Sequence, residues 1–359
     1  MEIDIFRGPS RIGITPMNSG KGCDMRKLRS SVISLLIILF VMVTGIVAIG
    51  MRHRVVSRQN DSSKESTSNN LVITNSTYLS TAPFDPAGTS KPVKPGWQKK
   101  GSSEVFIDKD GNEVTDGVGD VDGTLYLIKN GKPAEQGMNL VDKNIYYVGE
   151  EGLITRTVYG DKPMAALTFD DGPSKYTEKI LDVLKKYDVR ATFFINGEDV
   201  ESYKNAIIRE HDEGHVIGNH TQNHKTLTKL SVEDIHSQIA QTDDIVYDLC
   251  GVKTKYLRPP GGAVNDKVKA NVGMPMINWS VDTKDWSHDD AGKTIREIKK
   301  STKDGSIVLM HDRMRSTSDA INDIVPELLG RGFQLVTIEE MSLLRGGTQP
   351  GQVYFSFAP

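Results

Sequence analysis

Ala165-Ala166-Leu167-Thr168-Phe169-Asp170-Asp171-Gly172-Pro173 carries a short apolar run into two adjacent carboxylates and stops it at a Gly-Pro turn. A run of that length bounded by turn residues reads as a buried strand. Successive side chains on a strand point to opposite faces, so Asp170 and Asp171 aim in different directions. One can bind a metal while its neighbour takes protons from water. Taken alone, the stretch reads equally well as a strand end with an Asx-type turn. A second segment about fifty residues on, His220-Thr221-Gln222-Asn223-His224, favours the chemical reading.

Working outward, apolar runs at 165–169, 191–195, 216–218, 256–258, 276–281, 306–310 and 333–336 alternate with amphipathic stretches at 177–187, 200–213, 232–249 and 294–302. Strand alternating with helix predicts an α/β domain with parallel strands. Residues 161–345 are too few for eight full units of roughly 25–30 residues each, which predicts an irregular barrel of about seven strands. On that frame Asp170 and Asp171 end the first strand and His220 and His224 follow the third. Arg258 ends the fourth, Asp282 and Asp285 end the strand through Trp279, and His311 ends the one through Leu309. The C-terminal ends of strands are where such folds gather their active sites.

His220 and His224 are four apart, which on a helical turn puts both imidazoles on one face. Two histidines and a carboxylate form a catalytic zinc-type set with positions left open. A lone His pair at this spacing is more often surface or core; Asp171 and the other strand-end groups tip the reading toward a ligand set. His211, His215 and His236 read as packing or surface groups. His288, two residues after Trp286, could line the groove mouth but is read as outside it, and Cys250 reads as a small buried residue.

These segments resemble the five motifs of the NodB-homology polysaccharide deacetylases, the family four carbohydrate esterases. They are 168–173, 220–224, Arg258-Pro259-Pro260-Gly261-Gly262, Asp282-Thr283-Lys284-Asp285-Trp286 and Leu309-Met310-His311, in the family's order and covering about half the chain. The resemblance implies that Asp171, His220 and His224 hold a divalent metal, usually Zn2+, which acidifies water and polarises the acetamide. It implies Asp170 as general base and His311 as the acid that protonates the leaving amine. Arg258 would orient Asp170 and Asp282 would orient His311, with Trp286 and Leu309 walling the acetyl pocket. The third motif often carries Tyr where this chain has Gly261. The backbone N–H there still supports an oxyanion, but an aromatic wall is lost and the groove is expected to be wider.

N-terminal to this region, Phe106, Tyr126 and Tyr147 recur at 20 or 21 residues, each followed five positions later by Gly111, Gly131 or Gly152. Gly96-Trp97, Gly117-Val118 and Gly137-Met138 keep the same period. The pattern predicts a small all-β hairpin-repeat module over 96–157. It resembles the cell-wall-binding, choline-binding-type repeats, in which aromatic pockets take quaternary ammonium groups. Trp97, Phe106, Tyr126 and Tyr147 are its candidate wall-binding aromatics. Only the first unit keeps its Trp, and a hairpin spacer is the alternative.

Residues 30–51 are 22 without a charge, enough to cross a bilayer as a helix. A signal anchor is expected, with residues 1–29 cytoplasmic, 52–95 an extracellular disordered linker, and 346–359 a C-terminal tail. A secreted protein released by signal cleavage is the alternative. Met25-Arg26-Lys27-Leu28-Arg29-Ser30 is itself a normal n-region, so the start of translation is read as open between Met1 and Met25. The net charge of -3 points away from nucleic acid as a partner, and two cysteines, Cys23 and Cys250, flanking the apolar span do not make a disulfide framework.

The expected function is metal-dependent hydrolysis of N-acetyl groups from an envelope polysaccharide, peptidoglycan N-acetylglucosamine first, by an enzyme on the bacterial cell membrane facing outward. A chitin-oligosaccharide or exopolysaccharide deacetylase is the alternative, and a non-enzymatic wall-binding protein the second. The sequence is silent on oligomeric state.

Overall fold

Residues 94–358 are described by a computed structural model of the protein. The expected membrane span at 30–51, the segment before it and nearly all of the linker lie outside the described residues. Among the described residues no helix is long and apolar enough to cross a membrane.

The repeat region forms three antiparallel three-stranded sheets. The first contains β1 (Gly96–Lys100), β2 (Ser103–Ile107) and β3 (Glu113–Val114). The second contains β4 (Gly117–Val121), β5 (Thr124–Lys129) and β6 (Lys132–Pro133), and the third β7 (Gly137–Val141), β8 (Asn144–Val148) and β9 (Ile154–Tyr159). The tight turns follow from sequence. Asp122-Gly123 and Asn130-Gly131 are two-residue loops with positive φ at both positions, the conformation that matches strand twist and favours Asn/Asp-Gly. Phe106 is fully buried between Trp97 and Tyr126, with ring centroids 5.2 Å away on each side. A side chain at Gly119 would collide with the Phe106 ring.

The larger part is a parallel sheet built on β10 (Met164–Gly172), with β11 (Thr192–Ile195), β12 (Val216–Asn219), β13 (Met276–Ile277), β14 (Val281–Asp282), β15 (Ser306–His311) and β16 (Gln334–Leu335). Its order is β12-β11-β10-β15-β14, and β16 pairs with the start of β10. Leu257 bridges Asn219 on one side and Met276 on the other. Since residues 276–282 then run on to pair with β15, the ring closes as an irregular barrel. Expected strand 256–258 is thus reduced to one bridging residue, and 276–281 is split in two.

Alternation along β10 divides two cores. Ala165, Leu167 and Phe169 pack in the larger cluster with Ile180, Leu184, Ile321 and Leu328, which come from helices Thr177–Lys186 and Arg315–Gly330. Met164 and Ala166 face the other cluster with Phe194, Ile277, Ile307 and Val336. Ile145 and Val158 belong to that second cluster, so the third hairpin sheet is built into the same core as the barrel. Tyr147 on β8 donates its hydroxyl to Glu340 at 2.8 Å, and Arg190 lies 4.1 Å over its ring.

The expected tail is not one. β17 (Val353–Tyr354) pairs with β13, and Phe357 is buried against Gly305, whose φ of 78° and lack of Cβ permit the approach. The helix Val232–Cys250 starts at Ser231, which caps the Asp234 amide, and stops at left-handed Gly251.

Candidate active site

Thr168 and Asp170 follow Ala166 on the inner face of β10. Arg258, itself fully buried, reaches both: Nη1 donates to Thr168 Oγ1 at 2.8 Å and to Asp170 Oδ1 at 2.7 Å. Its Nε and Nη2 donate to the carbonyls of Ile277 and Asn278 at 2.8 and 3.1 Å. The guanidinium stacks 4.2 Å over Phe194. Every contact fixes its plane, so the buried Asp170 carboxylate is held in one orientation with a charge-assisted bond.

At Asp171 the pairing register of β10 with β11 shifts, and φ turns to 65°. Left-handed backbone at a non-glycine residue costs on the order of 1–3 kcal/mol and persists where the surroundings over-determine it. Its effect is to swing Asp171 toward the loop after β12. There Asp171 Oδ1 lies 3.5 Å from His220 Nε2 and 3.4 Å from His224 Nε2. The histidines are not on a helical turn, contrary to the spacing argument. They sit in a loop with Thr221 at φ 71° and His224 at φ 55°, which brings the rings to 4.9 Å between centroids.

This trio fits a cation. One oxygen and two nitrogens lie within 4.8 Å of one another, and the buried Asp171 Oδ1 has no hydrogen-bond partner, an exception that calls for an occupant. His220 Nδ1 lies 2.6 Å from the Arg258 carbonyl, so Nδ1 carries the proton and Nε2 offers its lone pair. Burial lowers the His220 pKa, against the opposing pull of Asp170 and Asp171, and favours the neutral, ligating form.

On the other side of Asp170, His311 at the end of β15 is paired with Asp285. The Asp282 assignment is corrected: His311 Nδ1 lies 2.8 Å from Asp285 Oδ1, and the His311 amide donates to Asp285 Oδ2 at 2.7 Å. Asp285 begins the short helix Asp285–His288, fully buried, with Thr317 Oγ1 donating to it at 2.5 Å. Asp282 is spent on an Asx turn, accepting the Lys284 amide. It lines a groove of about 360 Å³ with Lys284, His288, Lys293, Arg296 and Lys300. Burial alone would push the His311 pKa down. The Asp285 hydrogen bond and charge, helped by Asp170 and Asp171, outweigh it and raise the value to about 9.

Of the other expected residues, Leu309 is buried in β15, where it pairs with Thr168 and Asp282. Trp286 is 59% exposed. Gly261 has φ 64°, and a Cβ there would meet nothing within 4 Å. The aromatics of the repeats are brought to different tasks. Phe106 is buried, Tyr147 is engaged by Glu340 and Arg190, and half-buried Trp97 donates its indole N–H to the Glu151 carbonyl. They do not converge on one open cage.

Within two residues after His311 the structure adds groups the motif reading missed. Asp312 is fully buried, accepts Thr177 Oγ1 at 2.6 Å, and is raised to about pKa 7 chiefly by burial. Arg313 lies 3.9 Å from Asp171 Oδ2 and 3.8 Å from Asp199 Oδ2. No spacing rule ties a residue at 199 to one at 313; only the fold does.

The sequence profile of the polysaccharide deacetylase family matches residues 157–276. The peptidoglycan-N-acetylglucosamine deacetylase PgdA of Listeria monocytogenes is 41% identical over 191 residues, 53% of this chain and 41% of that protein. The peptidoglycan-N-acetylmuramic acid deacetylase PdaC of Bacillus subtilis is 38% identical over 186 residues, 52% of this chain and 40% of that protein. Its solved structure superposes with TM-score 0.51 at 37% identity over 52% of this chain and 93% of that one. A family 4 acetyl xylan esterase from Clostridium thermocellum, solved with a cobalt ion, gives TM-score 0.52 at 32% identity over 54% of this chain and 98% of that one. The chain thus spans about two fifths of the length of the Listeria and Bacillus proteins it matches. With near-complete coverage of relatives above 30% identity, the chain belongs to the polysaccharide deacetylase family.

Proposed function

We propose that the protein removes N-acetyl groups from an envelope polysaccharide, with peptidoglycan N-acetylglucosamine as the substrate, releasing acetate and leaving a free amine on the sugar. The observation that carries this reading is the placement of Asp170 beside the Asp171, His220 and His224 cluster, with the Asp285-held His311 completing the site. That is one carboxylate for accepting a proton and one imidazolium for giving one.

A divalent ion on that cluster, for which we choose zinc, supplies Lewis acidity toward the acetamide carbonyl and acidifies water. Asp170, oriented by Arg258, accepts the proton of the attacking water at the oxygen not engaged by the guanidinium. His311 keeps its Nδ1 proton on Asp285 and presents Nε2–H. That proton passes to the amide nitrogen as the C–N bond breaks, so the departing group leaves as a neutral amine.

Incubating the zinc-loaded protein with purified peptidoglycan and with chitin oligomers, and measuring acetate, tests the reading. Release from peptidoglycan is expected. Release from chitin alone would move the substrate to a different polymer, and release from neither would end the enzymatic reading.

We further propose that residues 30–51 anchor the chain in the cell membrane with the catalytic region outside. The 22 uncharged residues support this. A full-length protein that leaves cells without detergent would contradict it.

A further inference from the structure

Arg313 stands two residues beyond His311 on a backbone that is firmly held. The Asp312 amide donates to the Asp170 carbonyl at 3.1 Å, Ser174 Oγ donates to the Asp312 carbonyl at 3.0 Å, and Thr177 Oγ1 donates to the Asp312 carboxylate. Its side chain is not so held. The side chain is 50% exposed, and its guanidinium comes no closer than 3.9 Å to Asp171 and 3.8 Å to Asp199. Both distances exceed a hydrogen bond. Among the described residues none of its five N–H donors has a hydrogen-bond acceptor. Contrast Arg258, whose donors are directed at four protein oxygens.

An arginine with a rigid base, open donors and a place at the rim of a hydrolytic site is equipped to take an anion from the substrate. Guanidinium matches carboxylate in a two-bond fork. A divalent cation held by Asp171, His220 and His224 would more than offset the Asp171 carboxylate, so that with Arg313 and Asp199 the rim would carry a net positive charge. The acetamide itself is neutral and gives Arg313 nothing to pair with.

We infer that Arg313 is a specificity-determining residue that binds a carboxylate on the glycan next to the sugar being deacetylated. The inference rests on the deacetylase reading above and deepens it. The substrate is an acidic, carboxylate-bearing polymer rather than a neutral homopolymer of N-acetylglucosamine. In peptidoglycan that carboxylate is either the lactyl group of a peptide-free muramoyl residue or a free carboxylate of the attached peptide.

The test measures affinity separately from turnover. Zinc-loaded protein is titrated calorimetrically with three glycans of equal length: peptide-free glycan with its lactyl carboxylates, the same glycan with those carboxyls amidated, and peptide-bearing glycan. The wild type is expected to bind one carboxylated form about tenfold more tightly than the amidated one, a typical gain for a charge-assisted pair. Whichever form shows the gain identifies the source. In Arg313→Gln the ratio should fall to near one, and in Arg313→Lys it should recover in part, because the charge returns without the fork. A wild-type ratio of one, or a ratio that survives in Arg313→Gln, overturns the inference. Acetate measured in parallel distinguishes this from failure of the deacetylase reading. A protein that prefers carboxylated glycan yet releases no acetate keeps Arg313 as a carboxylate binder and loses the enzymatic role.

Discussion

Asp285 grips His311 twice, taking the Nδ1 proton on one oxygen at 2.8 Å and the backbone amide on the other at 2.7 Å. The carboxylate therefore sets both the tautomer and the position of the ring. Its charge keeps the imidazolium protonated up to about pH 9 despite burial that pulls the other way. In Asp285→Asn only burial remains strong, so the alkaline limb of the pH–rate profile should move to lower pH. The rate at pH 8 should fall on the order of a hundredfold, the scale of a lost general acid. Asp282→Asn, whose carboxylate holds a turn amide and no group of the site, should change the rate by less than about twofold, within the range of a surface substitution. Equal effects of the two variants would return Asp282 to the site.

Asp170 and Asp171 should separate cleanly by experiment. Zinc should raise the melting temperature of the wild type, by an amount equivalent to about 3 kcal/mol at a hundredfold excess over its dissociation constant. A chelator should reverse it. Asp171→Ala and His220→Ala should lose this shift along with activity. Asp170→Asn should keep the shift and lose roughly a hundredfold or more in rate. Near-normal turnover in Asp170→Asn would mean another group takes the proton.

Glu210 is a fully buried carboxyl with neither oxygen hydrogen-bonded. Burial, and secondarily Asp312, raise its pKa well above the usual value of 4.5. The folded state therefore holds it neutral while the unfolded chain ionises it, so its stabilising share is full below about pH 4.5 and is lost as pH rises. Glu210→Met should raise the melting temperature by about 2–4 °C at pH 8 and by much less at pH 4. A gain independent of pH would point to packing alone.

Because Ile145 and Val158 share a core with Met164, Ala166 and Phe194, the third hairpin sheet is part of the barrel's foundation. A chain beginning at residue 161 should be less stable than one beginning at 137 by several kcal/mol, since each lost large apolar side chain is worth about 1.5–3 kcal/mol. Denaturant unfolding of the two checks this. Equal stability would restore the boundary at 157.

The strand ends and the turn residues were legible because they follow local rules. Apolar runs marked β11 and β15 and the start of β10 to within a residue, and the repeating Gly131 marked a hairpin loop. What was not legible depends on contacts distant in sequence. The sequence offered both Asp282 and Asp285 at one strand end; in the fold Asp282 accepts the amide of Lys284, which is left-handed at φ 55°, and it is Asp285 that meets His311. The helix Arg315–Gly330 was missed because Pro326 interrupts its pattern, though Ala320, Ile321, Ile324, Val325 and Leu328 keep a helical face. His220 and His224 came together as expected but by loop geometry, which spacing alone does not distinguish from a helical turn.

Arg258 touches both halves of the chemistry with different parts of itself. Its carbonyl sets the His220 tautomer and its guanidinium sets Asp170. The first contact belongs to the backbone and survives any side-chain replacement; the second does not. Mutation can thus disable proton transfer while sparing the histidine, but a shift of the chain at 258 displaces the two together. The ligand and the base thus share one pivot.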